Sequence, residues 1–283
     1  MRELVFLKLG GSLITDKTKP YTVRKGKLVD LSSQISHALQ TRPDLLLVLG
    51  HGSGSFGHTA AKEYRTRDGA PAPVPAPLQL PPSSTKIGEE QEYWKGFAEV
   101  WYQASKLNRF VVQALNESGI PTMTFSPAAS VWAANGRVAQ WDLSQIKYAL
   151  EGGILPVVHG DVIFDQEKGG TILSTEELFA HLARKMRPKR ILLAGLEEGV
   201  WADFPARKQR VQEVTRESFN KIKQSTGKAA GVDVTGGMES KIRQMLELAE
   251  SIPGLTIQIF SGETPENLKK ALLGETLGTI ITA

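Results

Sequence analysis

The 283-residue chain contains no cysteine, which excludes disulfides, thiolate nucleophiles and Cys-ligated metal centres. It has no stretch approaching the roughly 20 apolar residues of a membrane-spanning helix. The N-terminal run MRELVFLKLGGS is too short and too interrupted in its apolar part for a signal-peptide core, so a cytoplasmic setting without membrane attachment is expected. Charge of one sign is not in large excess. Against 30 Asp and Glu stand 34 Lys and Arg, a net of +4. The basic residues are scattered, so no nucleic-acid partner is signalled, and a phosphorylated small molecule accounts for a local positive excess equally well. No internal repeat is visible.

What is present is a series of apolar, strand-like runs that end in glycine or small polar clusters. Leu4 to Leu9 runs into Gly10 and Gly11, and Leu45 to Leu49 into Gly50, His51 and Gly52. Ile154 to Val158 runs into His159, Gly160 and Asp161, Ile191 to Ala194 into Gly195, and Leu255 to Phe260 into Ser261 and Gly262. Near-continuous Val, Leu and Ile fits strands buried on both faces of a parallel sheet. Helical patterns lie between them, as at Leu28 to Leu39 and Leu143 to Leu150. The alternation predicts βαβ units in a three-layer α/β fold.

A long helix is expected over Glu90 to Glu117, with Trp94, Phe97, Trp101, Leu107, Val111 and Leu115 at roughly helical spacing. The Pro-rich segment before it, residues 70–82, cannot be helical and reads as an extended surface insertion. No clean linker divides the chain. Two lobes on one continuous sheet, 1–170 and 171–283, are expected.

Four constellations carry chemistry. The first is Lys8, Leu9, Gly10, Gly11 and Ser12 at the end of the first strand. Paired glycines let backbone N–H groups approach phosphate oxygens, and Lys8 either points at such a phosphate or is an exposed turn lysine. Lys17, nine residues on, is either a solvated loop lysine or an ammonium folded over a transferring phosphoryl group. The second is His51-Gly52-Ser53-Gly54-Ser55-Phe56-Gly57-His58, a strand-to-helix turn of the kind that binds anions. It is neither a Walker A loop nor a dinucleotide fingerprint: no Gly-Lys-Ser/Thr follows, and no acidic residue stands at the ribose distance. His58 at the helix start either caps and packs or pairs with a phosphate.

The third is His159-Gly160-Asp161. Ligands of open α/β sheets collect at carboxyl ends of strands, so three such ends point to one shared site. Asp161 either holds Lys8 or Lys17 or caps a turn, and Asp142 reads as the N-cap of the following helix. The fourth is Thr235-Gly236-Gly237-Met238-Glu239-Ser240-Lys241, a second glycine-rich helix start with a lysine one turn in. Two anion-ready turns and three lysines suggest phosphoryl transfer, in which a protein mainly positions groups and neutralises charge.

These four motifs, in this order and covering nearly the whole chain, resemble the amino acid kinase superfamily. The Gly-Ser-Phe-Gly-His form of the second turn is similar to that of its isopentenyl phosphate kinase branch. The resemblance implies an open αβα sandwich with a mainly parallel central sheet, an acceptor-binding N-terminal lobe and a nucleotide-binding C-terminal lobe. It implies transfer from MgATP to isopentenyl phosphate, giving isopentenyl diphosphate in an alternative mevalonate route to isoprenoids, by a homodimer. ATP and Mg2+ are the implied cofactors, with no protein metal ligands assigned. By position, Lys8, Gly10, Gly11, Ser12 and Gly54 would contact ATP phosphates, with Gly195, Gly237 and Lys241 completing the nucleotide site. Ser53, His58 and Gly160 would hold the acceptor phosphate, Lys17 the transferring group, and Phe97 and Val100 either the prenyl tail or the core.

The chain departs from the pattern in places. After the Ile191 to Ala194 strand it reads Gly195-Leu196-Glu197-Glu198-Gly199 instead of the usual Thr-Asp pair, and after Ser174 it reads Thr175-Glu176-Glu177. Two other functions compete: a fosfomycin-kinase-like antibiotic phosphotransferase, sharing the Phe-Gly-His turn, and a non-catalytic nucleotide sensor whose Pro-rich loop docks a partner. Lys8, Lys17 and His58 together argue against the sensor.

Overall fold

The computed structural model describes residues 2–64, 66, 69–70, 87–225 and 237–283. The chain runs through β1 (Glu3–Leu9), the short helix α1 (Gly11–Ile14), α2 (Lys25–Thr41), β2 (Leu45–His51), α3 (Gly54–Tyr64) and the long α4 (Ile87–Glu117). There follow β3 (Thr122–Thr124), α5 (Pro127–Ser130), β4 (Val131–Ala134), β5 (Arg137–Trp141), α6 (Ser144–Glu151), β6 (Leu155–His159), β7 (Asp161–Asp165) and β8 (Gly169–Leu173). The rest comprises α7 (Thr175–Met186), β9 (Arg190–Gly195), β10 (Val200–Trp201), β11 (Arg210–Val211), β12 (Glu213–Val214), α8 (Arg216–Ser225), α9 (Gly237–Ser251), β13 (Thr256–Ser261), α10 (Asn267–Leu273) and β14 (Thr279–Ile281).

The central sheet has the order β12-β14-β13-β9-β1-β2-β6-β3. Its strands pair in parallel except β13 with β14. Strands β1, β2, β3 and β6 occupy one end, strands β9, β12, β13 and β14 the other, and β1 meets β9 in the middle. This is the open, mainly parallel αβα sandwich that the sequence implies. What the sequence did not suggest is a second sheet, β5-β4-β7-β8. Its strands are only four or five residues long and mixed in direction, with apolar runs of no more than four residues to announce them.

Strand alternation assigns each residue to a layer. On β1, Val5, Leu7 and Leu9 join the core beneath α2, the C-terminal half of α4 and α10. Phe6 turns the other way, into the core shared with α6, α7 and α9. Lys8 has the parity of Phe6 and therefore faces α7.

Helix α4 links the layers to the second sheet. Its N-terminal Tyr93, Phe97 and Val100 pack with Ala60 and Val162, whereas Leu107, Val111, Ala114 and Leu115 enter the main core. The buried stripe passes through Val100, not Trp101, which is 45% exposed. Spacing of large apolar residues had put Trp101 on the inner face; the helical angle instead selects its smaller neighbour. Of the Pro-rich segment, residues 71–82 lie outside the described residues.

Candidate active site

Helix α7 starts with a capping box. Ser174 Oγ accepts from the Glu177 N–H at 3.2 Å, and the Glu177 carboxylate accepts from the Ser174 N–H. The box fixes the entry angle of the helix and delivers Glu176, in its first turn, to the end of β1. There Glu176 Oε1 contacts Lys8 Nζ and lies 3.6 Å from Lys241 Nζ of α9. All three side chains come from distant parts of the chain. Burial alone would raise the Glu176 carboxyl, but Lys8 and Lys241 outweigh it and hold it down at about 2. Burial pulls the Lys8 ammonium below its ordinary value, with Glu176 opposing and Lys241 adding to the pull.

The first two glycine-rich turns meet backbone to backbone. A side chain on Gly11 would collide with the N and Cα of Gly54, and one on Gly52 would lie 2.9 Å from the Gly11 N. Gly54 has φ +52 and its Cβ position is filled by Thr15 Oγ1. Glycine is thus required by close approach at Gly11 and by both close approach and backbone conformation at Gly54. Thr15 is 1% exposed, donates to Gly11 O at 2.7 Å and accepts from the Ser55 N–H at 3.0 Å.

The third turn is tied in by another buried hydroxyl. Thr175 Oγ1 donates to His51 O at 2.6 Å and accepts from the Gly160 N–H at 3.0 Å. That N–H is therefore committed within the protein. Beneath the turn, His51 and His159 stack with centroids 5.2 Å apart. Burial, then the neighbouring His159, pushes His51 down to about 3, so it is neutral. Asp161 does not reach Lys8 or Lys17 as one sequence alternative had it. Its Oδ1 accepts from the Val162 N–H at 2.9 Å, Oδ2 lies 3.3 Å from His159 Nε2, and burial raises its carboxyl. The parity of β1 turns Lys8 towards α7, and Glu176 takes the place foreseen for Asp161. Asp142 is not the N-cap expected of it: that position is Leu143, with no side-chain cap, and Asp142 stands one residue earlier, its Oδ1 accepting from the Ser144 N–H at 2.9 Å and the Ser144 hydroxyl at 2.7 Å.

These elements enclose a cavity of 620 Å³. One wall carries Lys8, Gly10, Gly11, Ser12 and Lys17, the next Ser53 and Gly54, and the far side Gly195, Lys241 and Gln244. Gly160 and Asp161 line it between, and Ala61, Val100 and Ile172 give it an apolar corner. Phe97 stands behind that corner, against Gly170 and 5.2 Å from Phe164 centroid to centroid. The cavity thus brings together Lys8, Lys17, Lys241, Val100 and glycines of the first three turns. His58 belongs to α3 and Gly237 opens α9. The His58 side chain, and the segment from Asp233 to Gly236, lie outside the described residues.

Sequence reasoning left Glu176, Thr175 and Thr15 without roles. Glu176 carried a readable signal, since Ser174-Thr175-Glu176-Glu177 has the form of a capping box and places its third residue in the first helical turn. The threonines act through contacts 124 and 40 residues away, and no local pattern encodes those.

The amino acid kinase family model matches residues 3–261. Isopentenyl phosphate kinase from Methanothermobacter thermautotrophicus is 34% identical over 99% of each chain, and that from Methanocaldococcus jannaschii 30% identical over 98% of each. A solved structure of an isopentenyl phosphate kinase superposes with a TM-score of 0.80 at 30% identity, covering 99% of this chain and 100% of that one. The chain belongs to the amino acid kinase family, within its isopentenyl phosphate kinase group.

Proposed function

We infer that the chain is an ATP-dependent kinase that converts isopentenyl phosphate to isopentenyl diphosphate. The observation that carries this reading is the meeting of the two glycine turns, Gly11 against Gly54, inside a cavity that also holds Lys8, Lys17 and Lys241. Two polyanions can be brought end to end only where backbone approaches closely and cations offset the charge.

In this reading the N-terminal lobe, 1–170, takes the acceptor and the C-terminal lobe, 171–283, the nucleotide. The nucleotide phosphates lie along Gly10, Gly11, Ser12, Gly54 and Gly237, with Lys8 and Lys241 as their cations and Gly195 completing the nucleotide site. Glu176 holds both lysines in place before the phosphates arrive and keeps them from repelling one another. The acceptor phosphate sits against Ser53 and His58. Because the Gly160 N–H is engaged by Thr175, Gly160 contributes close approach without a hydrogen bond. The hydrocarbon tail enters the corner at Val100, closed behind by Phe97. An acceptor oxygen attacks the γ-phosphorus, the bond to the bridging oxygen breaks, and ADP leaves with the charge. Lys17 neutralises the phosphoryl group in transit.

Mg2+ is part of this reading and would offset charge on the nucleotide. Among the described residues no group of three His, Asp or Glu could hold a metal ion. A homodimer, which rests on the resemblance, and a cytoplasmic setting, which rests on the N-terminal run, complete the reading. Among the described residues no helix is long and apolar enough to cross a membrane.

The test is an ADP-release assay with isopentenyl phosphate, dimethylallyl phosphate and fosfomycin as acceptors. Isopentenyl phosphate is expected to give the highest kcat/KM. A preference for fosfomycin would move the chain to the antibiotic-kinase reading. Nucleotide binding with no turnover of any acceptor would favour the sensor.

A further inference from the structure

We propose that Thr15 is a positioning residue for phosphoryl transfer, its buried hydroxyl locking the donor-phosphate turn to the acceptor helix. The proposal rests on the kinase reading above and adds to it a residue outside the cavity wall.

The hydroxyl has two partners on different elements. It donates to Gly11 O at 2.7 Å, at the end of the β1 turn, and accepts from the Ser55 N–H at 3.0 Å, in the first turn of α3. At 1% exposure, water cannot replace either bond. The hydroxyl fills the position where a Gly54 side chain would stand.

Thr15 also begins the loop that carries Lys17. Thr15 bridges to Val23, the Asp16 N–H donates to Thr22 O at 2.9 Å, and the Arg24 N–H donates to Ile14 O at 2.9 Å. The far side of that loop returns to Ser55: the Thr22 N–H approaches Ser55 Oγ at 3.4 Å and the Tyr21 N–H approaches Ser55 O at 3.5 Å. Ser55 is therefore the point where the Lys17 loop, the Gly10–Gly11 turn and the helix bearing His58 are fastened together, and Thr15 makes the shortest of those ties. Donor phosphates, transferring group and acceptor phosphate belong to the three fastened elements. Slack at this point separates reacting atoms without removing any ligand contact, and misplacement of about 1 Å costs on the order of 100-fold in rate.

The test compares Thr15→Val, which keeps the shape and loses the hydroxyl, with Thr15→Ser, which keeps the hydroxyl. For Thr15→Val, kcat is expected to fall about 10-fold or more while KM for ATP and for isopentenyl phosphate each stay within about 3-fold. Thr15→Ser should recover most of kcat. Hydrogen exchange of the Ser55 amide should accelerate in Thr15→Val and not in Thr15→Ser. The proposal is overturned if Thr15→Val keeps kcat, if both KM values rise in step with the loss, or if Thr15→Ser is as slow as Thr15→Val. If the wild-type protein does not phosphorylate isopentenyl phosphate, the acceptor assignment falls separately. The tie is then judged by exchange, where an unchanged Ser55 amide in Thr15→Val overturns it.

Discussion

Replacing Glu176 with Gln keeps the shape of the side chain and removes the negative charge between Lys8 and Lys241. The side chains of Lys8 and Glu176 are 11% and 10% exposed, so solvent screens the pair weakly. Unit charges about 4 Å apart at an effective dielectric near 20 interact by about 4 kcal/mol. A second route starts from the carboxyl itself, which the fold holds at about 2 against an ordinary value of 4.5. That difference corresponds to about 3 kcal/mol of stability at neutral pH. Because the folded value is the lower one, the contribution is complete above pH 4.5 and is lost as pH falls towards 2. Removing one partner of a buried pair commonly costs about 3–5 kcal/mol, since the other charge is left uncompensated.

Glu176→Gln should therefore lower the melting temperature at pH 7 by roughly 6 °C or more, at about 2–4 °C per kcal/mol for a chain of this size. The assay is thermal unfolding of both proteins with and without saturating ATP. Phosphates bring their own negative charge to Lys8 and Lys241, so nucleotide should narrow the gap between the variant and the parent. The gap should also narrow below pH 4.5 and close as pH falls towards 2, where the parent loses its carboxylate. Equal melting temperatures at pH 7, or a gap that ATP leaves unchanged, would refute the reasoning. The lysines would then be compensated elsewhere.

Lys17→Met should lower kcat by about 100-fold or more with the ATP KM within a few fold, because the ammonium acts in the transition state; a large KM change with kcat intact contradicts this. Phe97→Ala should shift preference towards longer prenyl phosphates such as geranyl phosphate, since it opens space behind Val100 and over Gly170; loss of stability with unchanged chain-length preference makes Phe97 core alone. For His58, kcat/KM with isopentenyl phosphate should collapse in His58→Ala and survive substantially in His58→Asn or His58→Gln. The acceptor is already an anion near neutral pH and needs a hydrogen-bond donor more than a base. Amide variants as dead as Ala, with folding intact by circular dichroism, would restore a role specific to imidazole.

The parts of the site legible in the sequence were those that chemistry writes locally. Buried strands wrote themselves as Val, Leu and Ile runs, and the turns at their carboxyl ends as glycines, so β1, β2, β6, β9 and β13 and the cavity they border could be placed from residues alone. The parity of β1 was legible too, but not its consequence: Lys8 faces whatever covers the Phe6 side of the sheet, and only the fold says that this is α7. Asp161, at a strand end, could be read either as a lysine partner or as a turn cap, while Glu176 lay on a helix, so pattern alone did not name the partner of Lys8. Trp101 failed for a related reason. Size and hydrophobicity suggested burial, while the angle of the helix chose Val100.

What stayed hidden has a common physical character. Glycines can bring two turns into contact, but having no side chains they cannot fix the distance between them. Something else must supply the restoring force, and at Gly11 and Gly54 the nearest polar side chain is that of Thr15, as Thr175 is between His51 and Gly160. In each case a β-branched residue with a stiff χ1 presents one hydroxyl that both donates and accepts. It is small enough to be buried and directional enough to hold two backbones in register. A serine offers the same bonds with a looser rotamer, and a valine the same shape with no bonds. The glycine turns thus give the cavity its capacity to admit phosphates, while the buried threonines give it the fixed spacing that in-line transfer between two phosphates requires.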